Sequence, residues 1–260
     1  MGTAAVQGDL WSERAREWAD LQEGMFAPLY DAAFDAAGLC NGKRLLDVGC
    51  GAGLALRMAR ERGAEVCGLD AAPGLVAIAS ARVPGADIRV GDIEELPFSE
   101  EAFDIVSGFN SFQYAADRVR ALAEAGRVAT RDGAVIVAVW GDPERCDFGG
   151  YLGALGRLLP PPPAGAPGPW ALSPDRALES LIEDAGLEPG RSGRLPVHLS
   201  FADQSSAVRG LLAAGPAVRA IRHAGEEAVR DAVRQAIAAY RQQDGSYAFS
   251  NEFRYVVAHR

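Results

Sequence analysis

The stretch Leu45-Leu46-Asp47-Val48-Gly49-Cys50-Gly51-Ala52-Gly53 constrains this chain more than any other. An apolar strand, broken only by Asp47, runs into three alternate glycines, and a helical pattern follows. Glycines there let the backbone adopt left-handed conformations and let a ligand approach the main chain closely. A glycine-rich turn at the carboxyl end of a strand is where doubly wound α/β sheets bind nucleotides. The spacing departs from the dinucleotide fingerprint GxGxxG, because Leu54 stands where the last glycine belongs. Asp47, two residues before the first glycine, places a carboxylate near the ligand and disfavours a diphosphate. An NAD-dependent oxidoreductase is therefore disfavoured, and no convincing Tyr/Lys or His/Asp catalytic set supports one.

The same rhythm continues along the chain. Arg44–Val48, Val66–Leu69, Ile88–Val90, Phe103–Ser107 and Ala134–Trp140 read as strands, with helices near Gly53–Arg62, Pro73–Val83 and Asp117–Val128. Continuous apolar runs such as AVIVAVW suit a parallel sheet covered by helices on both faces, which places the chain in the α/β class. Pro73 suits a first helical turn, where its missing N–H costs nothing. Ahead of the first strand, residues 1–38 read as a helical cap (Leu10–Ala19 and Pro28–Ala37) carrying Trp11, Trp18, Phe26, Tyr30 and Phe34. Residues 39–140 form the ligand-binding core. Residues 141–246, which include the proline-rich Pro160–Pro169, read as a substrate-side helical insertion with a possible sheet strand, and residues 247–260 as a closing strand.

With these residues in place, the chain from Trp11 to Trp140 resembles the class I S-adenosylmethionine-dependent methyltransferases, in particular the ubiquinone and menaquinone biosynthesis type that acts on small molecules. The resemblance implies a Rossmann-like, doubly wound, seven-stranded, mostly parallel sheet with S-adenosylmethionine as cofactor. It implies that Asp47, Gly49, Cys50, Gly51 and Gly53 form the first cofactor motif, with Asp47 helping to hold the cofactor's amino group. Asp70 ends the second strand and would accept from the ribose hydroxyls, with Ala71 and Leu75 near the adenine. Gly91-Asp92-Ile93 resembles the third-strand segment, where Asp92 would accept from the adenine amino group and Ile93 would pack on the ring. Phe109 joins the cofactor set, Trp18 of the pre-core helix would cover the methionine part, and Asn110, Phe112 and Gln113 would line the substrate pocket, with Tyr114 beside them.

Composition narrows the partners. With 26 Lys plus Arg against 35 Asp plus Glu, a net charge of −9 and a pI near 4.9, the chain lacks the basic surface that binding to phosphate backbones requires. Asn110-Ser111-Phe112 replaces the Asn/Asp-Pro-Pro-aromatic motif of amide- and adenine-methylating enzymes, and the Pro-Cys motif of cytosine-5 enzymes is missing. No nucleic acid is expected as a partner. No apolar run suits a bilayer span and Met1–Leu10 has no leader pattern, so no membrane is expected and the cytoplasm is. Cys40, Cys50, Cys67 and Cys146 form no CxxC pair, and no metal site is expected. No motif encodes the oligomeric state or the methylated atom. Residues 191–260 are net positive while the remainder is acidic. An anionic acceptor is one reading, and a solvated helix face with a Glu226–Arg230 pair is the preferred one.

Methyl transfer from a sulfonium is an in-line displacement that needs alignment and exclusion of water, with a base only where the acceptor must lose a proton. Among His198, His223 and His259, His223 is the candidate base, since it ends a helical pattern inside the substrate-side segment; its alternative is a helix-terminal cation. Two other functions use the same pocket: a homologue that performs a non-methylating reaction such as a cyclisation, and a non-catalytic subunit that activates a partner.

Overall fold

The computed structural model describes residues 2–161 and 168–260. Part of the proline-rich Pro160–Pro169 thus lies outside the described residues. The strands β1 (Arg44–Val48), β2 (Glu65–Asp70), β3 (Asp87–Val90), β4 (Phe103–Phe109), β5 (Ala129–Trp140), β6 (Glu188–Phe201) and β7 (Tyr247–His259) form one seven-stranded sheet in the order β3-β2-β1-β4-β5-β7-β6. Strands β3, β2, β1, β4 and β5 pair in parallel, and β7 runs antiparallel to both β5 and β6. The chain moves from β1 outward to β3 and then returns to the far side of β1 as β4. This puts the topological switch point between the carboxyl ends of β1 and β4, where α/β sheets open a crevice.

Helices α1 (Ala4–Ser12), α2 (Ala15–Leu21) and α3 (Ala27–Ala36) precede the sheet. Helices α4 (Leu54–Glu61), α5 (Pro73–Arg82) and α6 (Arg118–Val128) connect its parallel strands. Helices α7 (Phe148–Arg157) and α8 (Ala177–Asp184) lie between β5 and β6, and α9 (Gln204–Leu212), α10 (Gly215–Ala224) and α11 (Glu226–Ile237) lie between β6 and β7. Because side chains alternate across a strand, Leu45, Ile105, Ile136 and Val257 pack on one face with α3, α4 and α9–α11. Leu46, Val106, Val135 and Val256 pack on the other with α6 and α8.

Two local differences from the sequence pattern matter for the site. The first expected helix is two helices, since Arg14 leaves helical geometry (φ −126°, ψ 32°) and Ser12 Oγ accepts from Gly74 N at 3.1 Å. This break lets α1 lie on the loop after β2. In the segment expected to be mainly helical, Glu188–Phe201 forms an edge strand. Pro189 and Pro196 are accommodated because an edge has one unpaired side. Its Gly-, Pro- and Arg-rich run disguises it as a loop. Among the described residues no helix is long and apolar enough to cross a membrane.

Candidate active site

The glycine turn is built from backbone geometry that side chains oppose. Gly49, Gly51 and Gly53 have φ of 74°, 56° and 83°, in the left-handed region that favours glycine. A Cβ on Gly49 would sit 2.3 Å from Ser111 Cβ, and one on Gly53 would sit 2.9 Å from Ala79 Cβ. Gly49 therefore allows the β1 turn to touch the loop after β4, whereas Gly53 allows α4 to approach α5. Gly49 N and Cys50 N both donate to Leu69 O, at 2.7 and 3.0 Å. Asp70 fixes the turn from the next strand, accepting from Gly51 N at 2.9 Å and Ala72 N at 2.8 Å through separate oxygens.

Three buried carboxylates surround this turn. Burial pushes the Asp70 carboxyl up, against the pull of its backbone donors. Burial also raises Asp47 to about 7, opposed by Ser107 Oγ, which donates to it at 2.7 Å. Glu23, raised for the same reason, pairs with Arg82 and accepts from Leu54 N at 3.3 Å, at the start of α4. The turn thus sits in a region of negative potential that favours a cationic ligand.

A cavity of about 500 Å³ opens beside the turn. Of the residues expected to hold the cofactor, Trp18, Gly49, Gly51, Asp70, Ala71, Leu75, Asp92, Ile93 and Phe109 line it, as do Asn110 and Gln113 of the expected substrate set. Tyr114 lines it too. Asp92 Oδ1 accepts from Glu94 N at 2.9 Å, leaving its other oxygen without a donor among the described residues. Five expected residues lie elsewhere. Asp47 is only 2% exposed and faces Ser107, its register partner on β4, so it acts on the cavity through its field, without contact. Cys50 is buried against Gly68, its thiol pushed up by burial. Gly53 spaces α4 from α5. Phe112 turns into the core, within reach of Gly108 and packed in the cluster that holds Leu46 and Val48. His223 is exposed in the last turn of α10 and does not line the cavity, which removes the geometry a general base requires.

Tertiary packing adds residues that no motif marks. Helix α1 covers one wall: Thr3 Oγ1 donates to Tyr114 O, and a Cβ on Gly8 would meet Ala71 O at 2.1 Å. Trp11 stacks edge-on with Trp18 at 5.0 Å and with Tyr114 at 6.1 Å. Further in, Tyr30, Phe109, Trp140, Phe148, Leu152 and Leu155 give the cavity an apolar wall, with Tyr30 and Phe109 ring centroids 4.5 Å apart. The aromatic content of residues 1–38, Phe109 in its loop and the substrate-side reading of residues 141–246 were the sequence signals for this wall. The helix α7 itself was not expected, although its residues fall inside the segment read as substrate-side.

The comparisons agree with this geometry. A family described as Methyltransferase domain matches residues 46–137. The chain is 45% identical over 96 residues to the malonyl-[acyl-carrier protein] O-methyltransferase of Serratia marcescens, covering 37% of each chain. It is 33% identical over 127 residues to the demethylmenaquinone methyltransferase of Renibacterium salmoninarum, covering 48% of this chain and 54% of that one. The match thus spans well under two thirds of these relatives' own length. In fold it is similar to the geranyl diphosphate C-methyltransferase of Streptomyces coelicolor A3(2), with a TM-score of 0.52 at 17% identity over 90% of this chain and 79% of that one. Residues 46–137, which carry the glycine turn, Asp70 and Asp92, thus match a methyltransferase domain, and over that stretch the chain is similar to small-molecule methyltransferases.

Proposed function

We propose that the protein transfers a methyl group from S-adenosylmethionine to a small-molecule acceptor. The observation that carries this reading is one cavity that joins the β1 glycine turn and Asp70 to an aromatic chamber formed by α3, β5 and α7. The residues fit the cofactor on grounds internal to the structure. Asn110 Oδ1 and Ser111 Oγ are buried without a protein partner among the described residues, and both residues line the cavity beside Gly49. Asn110 is held at φ 53°, a conformation that asparagine tolerates better than most residues. Orphaned polar atoms of this kind call for a polar ligand.

Asp70 has a free lone pair on each oxygen beyond the two backbone N–H groups it already accepts, which suits the ribose hydroxyls. Asp92 would take the adenine amino group, with Ile93 and Leu75 against the ring. Trp18, with Gly49 and Gly51, would enclose the methionine end. S-adenosylmethionine, when bound, supplies an electrophilic methyl group on a sulfonium. Tyr30, Phe109, Trp140 and Phe148 exclude water from that end and restrict how an acceptor lies, which is the main requirement of an in-line displacement. Among the described residues, the carboxylates lining the cavity are Asp70 and Asp92, both at the cofactor end, and no histidine lines it. The chain thus positions its acceptor, and proton removal is assigned to no side chain.

The experiment is a pair of measurements. Calorimetry should show S-adenosylhomocysteine binding at about micromolar Kd, roughly 8 kcal/mol, with NADH not binding. Incubation of the protein with methyl-labelled S-adenosylmethionine and a library of small metabolites should move label into a low-mass product. Binding of S-adenosylhomocysteine with product formed from unlabelled carbon alone would instead favour a non-methylating homologue.

A further inference from the structure

Most of the chain's arginines pair with a carboxylate on the surface, including Arg222 with Glu13 and Arg230 with Glu226, as expected of a solvated helix face. Two arginines that line the cavity do not. Arg118, the first residue of α6, is half-buried, and among the described residues its Nη2 donates only to Gln113 O, at 3.2 Å. Asp117, next to it, is occupied as the helix cap, accepting from Arg120 N at 2.9 Å. Arg219, one turn beyond Gly215 on α10, pairs with no carboxylate among the described residues, and residues 162–167 contain no acid.

Both residues line one cavity, Arg118 half-buried at the start of α6 and Arg219 exposed on α10. Trp11 packs between the two segments that carry them, since a Cβ on Gly215 would sit 2.6 Å from its Nε1 and its ring packs on Tyr114. Partial burial pulls the Arg118 guanidinium down from its ordinary value with no anion to offset it. A half-buried cation such as Arg118, without a counter-ion, offers an anionic ligand a charge-assisted hydrogen bond with part of the desolvation cost already met. The same cavity is also lined by apolar and aromatic side chains, among them Tyr30, Trp140, Phe148, Leu152 and Leu155.

We infer that the acceptor is an amphiphilic anion, with an apolar body packed against the aromatic chamber and a carboxylate or similar group held by Arg118 and Arg219. This rests on the methyltransferase reading, because it assigns the remaining volume to the acceptor. The cofactor's own α-carboxylate has the same chemistry, so the test separates the two. Calorimetry on protein saturated with S-adenosylhomocysteine would compare 2-naphthoate with its neutral isostere 2-naphthamide. In the wild-type protein the anion should bind at least about tenfold more tightly than the amide. In R118Q/R219Q that preference should vanish, with amide binding, S-adenosylhomocysteine affinity and the melting temperature unchanged. Equal binding of the two probes, or binding of neither, to the wild-type protein overturns the inference. So does a tenfold loss of S-adenosylhomocysteine affinity in R118Q/R219Q, which would give the arginines to the cofactor. Failure of S-adenosylhomocysteine to bind the wild-type protein would instead remove the underlying reading.

Discussion

Asp47→Asn tests the electrostatics of the glycine turn, because it removes a charge while keeping the shape and the acceptor for Ser107 Oγ. Asp47 is raised by burial from its ordinary 3.8 to about 7. In that window the folded protein holds a proton that the unfolded chain has released. Stability therefore falls as pH rises, by about 1.4 kcal/mol per pH unit, until the folded carboxyl ionises. Above pH 7 the accumulated cost of holding Asp47 as a buried anion is about 4 kcal/mol. The amide of the variant carries no such cost. The stability difference, variant minus wild type, should therefore rise by about 2–3 kcal/mol between roughly pH 5 and pH 8, while other titrating groups largely cancel. At pH 8 the gain is reduced by the stronger bond that Ser107 makes to an anion than to an amide, a difference of about 1 kcal/mol. Urea unfolding of both proteins at several pH values supplies the measurement. S-adenosylhomocysteine, with its ammonium group, should bind the variant more weakly at pH 8 than it binds the wild type. A stability difference that stays flat from pH 5 to 8 would show that Asp47 is ionised throughout and would refute the account of the turn.

Asp70→Ala leaves Gly51 N and Ala72 N without their acceptor, each loss worth about 1–3 kcal/mol. Both stability and S-adenosylhomocysteine affinity should fall, the latter by more than about tenfold, and an unchanged melting temperature in calorimetry would contradict the holding role. His223→Ala should leave kcat and KM for methyl transfer within about twofold of wild type, since the side chain is exposed and away from the cavity; a hundredfold loss of kcat would restore it as a base. Arg222 joins α10 to Asp9 of α1 and to Glu13 just after it, so Arg222→Gln should speed amide hydrogen exchange in α1 while leaving the sheet strands protected. A uniform change across the protein would mean that these ion pairs do not hold the cap.

The sequence by itself determined the sheet's central strands and the glycine-turn end of the cavity. Strand pattern and glycine spacing are local properties, and Asp70, Asp92 and the Gly49–Gly53 turn lie within or directly after strands whose apolar runs announce them. The edge strand β6 was less legible, because an edge needs no continuous apolar run and admits Pro189 and Pro196. Asp47 shows the limit of motif reading: its position in the strand was clear, but its side chain meets Ser107 and does not line the cavity. Phe112 was likewise visible as an aromatic in the right loop, yet a short 3₁₀ turn sends it into the core. Only the tertiary structure decided the aromatic end of the cavity. That wall is assembled from α1, α3, β5, α7 and α10, segments far apart along the chain, and their apolar side chains carry the same pattern whether they face a core or a cavity. The contrast between a paired surface arginine and Arg118 or Arg219 depends on which carboxylates lie within reach, and distance in space is not written in spacing along the chain.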